Sequence, residues 1–408
     1  MATFVIHRIF KQSSSLMEAI VLDNGSGVFK AGYSGEDTPR TTFTTCAGRV
    51  KNPEWFASQA PNWKADLRDR ETFVGAECQQ YRDFLELSNP INRGIVDDWD
   101  ALERMWEFVF AQELRVDPET VALPVLCIGS PSGSKKQQER MAQLMFESQK
   151  VCGFYFMQQC VLSLFASGRT RGLVVEVGHG SSHAIPIFEG YALPHAAIHY
   201  NVGGVDISHR LHMLLSKREV SFHSFPLHTI DQVKEATCAM GNSTDQQGQN
   251  QQDDAGKPFE LPDGTILQVD RVTQTMPAEI LFKPHELGDD HPLRPDKGLH
   301  ECVAASLAMC DKDLQSDLLN AVVLAGGTTM LPGTSRRFQE ELQSVLPGSA
   351  LNVVPDPIIR ERGYNSQRKI AAWVGGSMFA SLDTFHDIHI TKQEWEEYHE
   401  AILDRKCF

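Results

Sequence analysis

Residues 173–190 read LVVEVGHGSSHAIPIFEG: an apolar run ending in an acid, Glu176, then a Gly178-His179-Gly180 turn, then a run that alternates apolar and polar residues. This pattern predicts a β-hairpin whose glycine turn brings backbone N–H groups against a phosphate. Residues 19–32, AIVLDNGSGVFKAG, repeat it with the acid Asp23 and the turn Gly25-Ser26-Gly27. One G-x-G turn is weak evidence for more than a turn, whereas two in matching contexts predict a pair of phosphate-type hairpins about half a chain apart. In the first, Gly25 and Gly27 permit the tight turn, and Ser26 offers its N–H and hydroxyl to a phosphate. Asp23 closes the strand where a Mg²⁺ hydration shell would lie, and Lys30 on the returning strand reaches the same phosphate. A third stretch, VVLAGGTTMLPG at 322–333, ends an apolar strand in Gly326-Gly327, followed by Thr328 and Thr329. Glycines there let a flat ligand approach the backbone, and the hydroxyls cap a helix or face that ligand.

The rest of the chain bounds the class. Its 408 residues, 41% of them hydrophobic, suffice for about two domains with buried cores. A formal net charge of -15 argues against direct nucleic-acid binding, which is driven by Lys and Arg. Nine cysteines without a C-x-x-C pair read as reduced thiols of an intracellular protein. No run of 18 apolar residues predicts a membrane span. Residues 1–16 read as an extension without a targeting role, with the domain edge at Met17.

Strand-like runs interleaved with helical patterns make the class α/β. DALERMWEFVFAQEL from Asp100 places Leu102, Met105, Trp106, Val109, Phe110 and Leu114 on one helical face, with Asp100 and Glu103 as a capping box. Helical patterns also fit residues 135–148, 154–166, 206–217, 230–240, 334–346 and 374–385. Residues 241–258 hold no aliphatic or aromatic side chain larger than Ala and read as a solvated, disordered loop.

LDNGSGVFKAGYSGEDTPR, LSLFASGRTRG, PIFEGYALPHA, ELPDG, VVLAGGTTMLPG, WVGGSMFASLDTF and the terminal RKCF resemble actin, over a span from about Met17 to Phe408. The altered stretches between these motifs resemble a divergent actin-related or actin-like protein. The resemblance implies the actin-like ATPase fold shared with heat-shock chaperones and sugar kinases: two lobes, each with a mixed five-stranded sheet and flanking helices, with ATP or ADP and Mg²⁺ in the cleft between. It implies a large lobe of 17–166 plus 371–408, with 45–89 as its small subdomain. The second lobe is then 167–370, with 203–289 as its small subdomain.

By the same resemblance, Asp23 would hold Mg²⁺ through water. Gly25, Ser26, Gly27, Val28 and Lys30 would meet phosphate, and Gly178, His179 and Gly180 would supply the opposing turn. Gly204, Lys234 and Glu235 would face ribose and base, with Gly326, Gly327, Thr328, Met330 and Lys369 completing the adenosine pocket. Gln159 would orient the attacking water, and His183 and Glu176 would complete the catalytic corner. Phe165, Met378, Leu382, Phe385 and Ile388 would line an apolar groove for other actin-family subunits or actin-binding proteins. The implied location is the cytoplasm and cytoskeleton, with the nucleus as an alternative.

The departures point to relaxed catalysis. The family pattern D-S-G-D-G becomes Glu176-Val177-Gly178-His179-Gly180. Glu176 is one methylene longer, moving its oxygens by about 1 Å, a misplacement that costs around 10²-fold in rate. His179 removes a negative charge and, if protonated, adds a positive one; otherwise it sits on an outward turn. Residues 45–82 differ from the family's filament loop, and Arg93 stands where actin has a His that modulates phosphate release. His179, His183, His195 and His199 do not suggest a metal site, because residues four apart on a strand are poorly placed for joint ligation. The expectation is an ATP-binding actin-like protein, a cytoskeletal component or a subunit of a larger actin-related assembly, with weak or absent hydrolysis. The alternatives are an active ATPase forming actin-type filaments and, less favoured for want of a second acid, a small-molecule kinase.

Overall fold

The computed structural model describes residues 19–52, 70, 72–218, 225–241, 256–262, 264–287, 295–356 and 363–407. The extension at 1–16, most of the loop at 241–258 and residues 53–69 of the altered 45–82 segment lie outside these. The chain divides into two compact units, one running to Gly168 and resuming over Ala372–Phe408, the other Arg169–Ala371.

In the first unit, Ile20–Asn24 pairs antiparallel with Val28–Tyr33, which pairs with Thr41–Thr44. On its other side Ile20–Asn24 runs parallel to Val125–Gly129, and that strand runs parallel to Gly153–Gln158. Ile390–Thr391 adds a sixth strand at the edge. Ile20–Asn24 and Val125–Gly129 are buried at every position, as strands covered on both faces must be. One face is covered by the helix Trp99–Phe108, which places Leu102, Met105 and Trp106 in the core with Ile20 and Leu22. Its cap is Asp98, which accepts from Ala101 N, rather than the expected Asp100, and the helix continues in π form over Val109–Leu114. Asp98 also accepts from Ser88 at 2.7 Å, a long-range bond that selects it from the run DDWD.

The other face carries the helix Ala371–Ala380, whose Gly376 leaves no room for a Cβ above Val21, Leu126 and Ile128. Trp373 Nε1 donates to the carbonyl of Val21. Two expected helices are thereby corrected. The pattern at 154–166 is a strand, Gly153–Gln158, followed by a helix, Gln159–Ala166. Three consecutive buried aromatics, Phe154 to Phe156, overfill one helical face but suit a strand buried on both sides. The pattern at 374–385 starts earlier, at Ala371, and ends at Ala380, with Phe385–Ile388 a separate helical turn. A smaller three-stranded sheet is made by Thr72–Val74, Ala47–Val50 and Leu85–Ser88.

The second unit repeats the order and direction of five strands. Gly172–Val177 pairs antiparallel with Ser182–Phe188, which pairs with Tyr191–Ala192. It also runs parallel to Val322–Ala325, itself parallel to Val353–Val354. Ile198–Tyr200 joins Ser182–Phe188 as the sixth strand. The helix Gly204–Arg218 buries Ile207, Leu211 and Leu215 in this unit's core. Lys257 and Pro258, expected within the solvated loop, belong instead to a strand Lys257–Glu260 that pairs with Ile266–Val269.

Candidate functional site

In the first hairpin Asp23 lies opposite Lys30, and the lysine Nζ is 2.7 Å from Asp23 Oδ2. Asn24 holds the strand end: it accepts from Trp106 Nε1 at 2.9 Å and donates to the carbonyl of Ile128 at 3.2 Å. Gly25 is required by space, since a Cβ there would sit 2.5 Å from the carbonyl oxygen of Val28. Thr45 accounts for the turn's carbonyls, its hydroxyl donating to Gly25 O at 2.6 Å and its N–H to Gly27 O at 3.1 Å. Because the N–H of a trans peptide points opposite to its carbonyl, the amides of Ser26 and Val28 are aimed away from Thr45. Ser26 Oγ accepts from Gly94 N at 3.0 Å, which leaves its O–H to donate. Gln137 fixes Gly94 in turn, donating to its carbonyl and accepting from Val96 N.

The second turn is built on the same plan with other residues. Gly178 O accepts from Gly204 N at 2.9 Å and from Thr328 Oγ1 at 2.8 Å, and His179 O accepts from Val205 N at 2.8 Å. The peptide N–H groups of His179 and Gly180 are therefore aimed away from the helix Gly204–Arg218. A Cβ on Gly203 would lie 2.6 Å from His179 O, and one on Gly204 2.7 Å from Thr328 Oγ1. Gly326 adopts φ 90 and packs so closely on Val177 that a side chain would overlap its carbonyl.

Glu176 is buried and lies opposite His183, as Asp23 lies opposite Lys30. An imidazole thus takes the place of the ammonium. His183 Nδ1 is 3.0 Å from Nδ1 of His199 on the next strand, and its Nε2 is 3.3 Å from Ser181 Oγ. Burial first, and then His199, push the pKa of His183 down to about 3, so the ring is neutral at pH 7. Strand register, not spacing along one strand, brings these two histidines together. Among the described residues no three His, Cys, Asp or Glu side chains are grouped to hold a metal.

Several of the expected ligand residues have protein partners in this structure. His179 does not add a positive charge at neutral pH: burial lowers its pKa and Lys234 adds to this, against the carboxylates of Asp231 and Asp206. Nor is it on an outward turn, since it is half-buried and packed at the helix start. Lys234 is turned inward, its ammonium donating to Gly204 O at 3.2 Å, Ser208 Oγ at 2.9 Å and Asp231 Oδ1 at 2.7 Å, which uses its three hydrogens. Thr328 spends its hydroxyl on Gly178 O, and the sulfur of Met330 accepts from Arg368 Nε. Exposed here are Glu235, Gly327 and Lys369. In the first unit Val28 is exposed, and Gln159 is the half-buried first residue of its helix. Phe385 is fully buried among Tyr155, Phe379 and His389 and is core rather than groove, whereas Phe165, Met378, Leu382 and Ile388 are half-buried.

Sequence reasoning missed Asn24, Thr45, Gly94, Gln137 and Arg368. Arg368 pins the third element: its carbonyl accepts from Gly326 N and its guanidinium donates to Thr329 O at 2.7 Å. Only Asn24, a polar residue at the end of a buried strand, carried a local signal.

Neutral His183 makes stability depend on pH. A histidine whose folded-state pKa lies below its free value stabilises fully above pH 6.5, and this contribution is lost as pH falls towards 3. At pH 5 the loss is about 2 kcal/mol, at roughly 1.36 kcal/mol per pH unit. His183→Gln is expected to flatten the fall in unfolding free energy, measured by urea titration, between pH 7 and pH 5 by that amount, and an unchanged slope would contradict the assignment.

The residues fit a magnesium nucleotide. Within each unit taken by itself, a hard carboxylate stands at the strand end and the turn's carbonyls are bound from one side, so that the opposite N–H groups suit an anion. Gly25 keeps clear the space that a Cβ would fill. A family model described as Actin matches residues 14–408.

Proposed function

The chain belongs to the actin family, and we propose that it is a divergent member that binds ATP or ADP with Mg²⁺ as a structural and conformational ligand and hydrolyses ATP weakly or not at all. Its role on this reading is that of a cytoskeletal component or a subunit of a larger actin-related assembly in the cytoplasm. The observation that carries the reading is the shared construction of the two turns, each with its carbonyls bound from behind and its next amides aimed away.

Asp23 is the proposed magnesium ligand, through water. Magnesium bound there neutralises phosphate charge. Ser26, Gly27, Val28 and Lys30 contact phosphate in the first unit, and Gly178, His179 and Gly180 in the second. Gly327, Glu235 and Lys369 face the adenosine. Gly204, Lys234, Gly326, Thr328 and Met330 act one step back, holding the backbone that does so.

Weak hydrolysis follows from the second hairpin. Glu176 is longer than the family's aspartate, and neutral His183 already has Ser181 and His199 at its two ring nitrogens. A ring with a pKa of about 3 is a poor proton acceptor at pH 7. Gln159 keeps its family identity, which supports the alternative of an active ATPase. Half-buried Phe165, Met378, Leu382 and Ile388 are the proposed contact for other actin-family subunits or actin-binding proteins. Retention of Mg-ATP together with single-turnover phosphate release tests the function: the reading fails if nucleotide is not retained.

A further inference from the structure

Cys46 and Cys78 are both fully buried and belong to one small cluster with Val50, Phe73 and Leu85, under the three-stranded sheet of the first unit. They are 32 residues apart in sequence, yet Cys78 Sγ lies 3.4 Å from Cys46 O and 3.2 Å from Phe73 O. Both thiols donate to backbone carbonyls, Cys46 Sγ to Ala47 O at 3.9 Å, and their nearness lowers the pKa of Cys46 and, with burial, raises that of Cys78. The cluster has only five buried members among the described residues, so local opening exposes it at less cost than global unfolding.

We propose that Cys46 and Cys78 are a disulfide-forming pair, oxidised by a small-molecule disulfide such as oxidised glutathione. The Cys46 thiolate attacks one glutathione sulfur, forming a mixed disulfide and releasing one glutathione thiolate. Cys78, giving its proton to solvent, then attacks Cys46 Sγ and releases the second glutathione. Two protein thiols are oxidised by two electrons, and one glutathione disulfide is reduced to two thiols.

The position gives the bond a consequence. Cys46 follows Thr45, whose hydroxyl and N–H hold the carbonyls of Gly25 and Gly27, and Cys46 O itself accepts from Gly75 N at 2.9 Å. A staple to the helix Ala76–Gln80 therefore ties down the residue next to the clamp on the first phosphate-type turn. Any effect on phosphate binding rests on the nucleotide reading above; formation of the bond does not.

The test treats the folded full-length chain with oxidised glutathione, removes the oxidant, denatures the chain in the presence of an alkylating agent, digests it, and maps the peptides by mass spectrometry. The expected result is one linked pair joining the peptides of Cys46 and Cys78, lighter by two hydrogens than the separate peptides, with the other seven cysteines open to alkylation after denaturation. Cys78→Ala is expected to leave Cys46 as a glutathione mixed disulfide. Recovery of both wild-type cysteines unlinked, or of either joined to a different cysteine, would overturn the proposal. Neither outcome depends on whether nucleotide binds.

Discussion

Gly375→Ala is expected to destabilise the protein by about 3 kcal/mol or more and to lower the melting temperature by roughly 10 °C. Gly375 lies in the helix Ala371–Ala380 where it crosses Gln159–Ala166, and a Cβ built there overlaps the carbonyl oxygen of Leu162. The clash is backbone against side chain, so no rotamer change relieves it, and the two helices must separate. Separation pulls Trp373 from the carbonyl of Val21 and Gly376 from Ile128, opening one face of the sheet that carries the first hairpin. Gly327→Ala is the control, since no atom lies within 4 Å of a Cβ at that position. Thermal unfolding of the two variants side by side checks the ranking; equal melting temperatures would show that the crossing is looser than described.

Gly25→Ala is expected to weaken Mg-ATP binding by about 100-fold, the equivalent of losing one or two charge-assisted hydrogen bonds to phosphate. A Cβ at position 25 meets Val28 O at 2.5 Å, and moving that carbonyl disturbs the turn whose amides are proposed to meet phosphate. Thr45 holds the Gly25 carbonyl from the other side, so the turn cannot shift as a body. The second turn is more forgiving, because a Cβ on Gly178 lies 3.1 Å from Ser181 O, and Gly178→Ala is expected to cost nearer tenfold. Equilibrium titration with a fluorescent ATP analogue measures both. Unchanged affinity in Gly25→Ala, with the fold intact by circular dichroism, would remove this turn from the binding site.

What the sequence disclosed was local. An apolar strand, an acid and x-G-x-G lie within a dozen residues, so both hairpins could be anticipated from spacing alone, whereas their registers come from the structure. The partners that fix those turns come from far along the chain. Thr45 is 20 residues from Gly25, Gly94 is 68 from Ser26, and Thr328 is 150 from Gly178. No periodicity announces such pairs. Lys234 shows the limit of carrying a role over by position: the resemblance gave it to ribose and base, but Gly204, Ser208 and Asp231 take up its ammonium. The helix cap failed for a similar reason, since Asp98 and Asp100 are both competent by type and only the long-range bond from Ser88 separates them. His183 was read correctly as a member of the second hairpin, but its pairing with His199 belongs to strand order rather than sequence.

The central claim is that the phosphate turns persist while catalysis is relaxed, and one experiment separates the two properties. The purified chain is loaded with Mg-ATP, freed of unbound nucleotide, and followed for both retained nucleotide and released phosphate in a single turnover. The account predicts that nucleotide stays bound and that phosphate appears no faster than in buffer. A chain that keeps no nucleotide, or one that releases stoichiometric phosphate in a rapid phase, would contradict it.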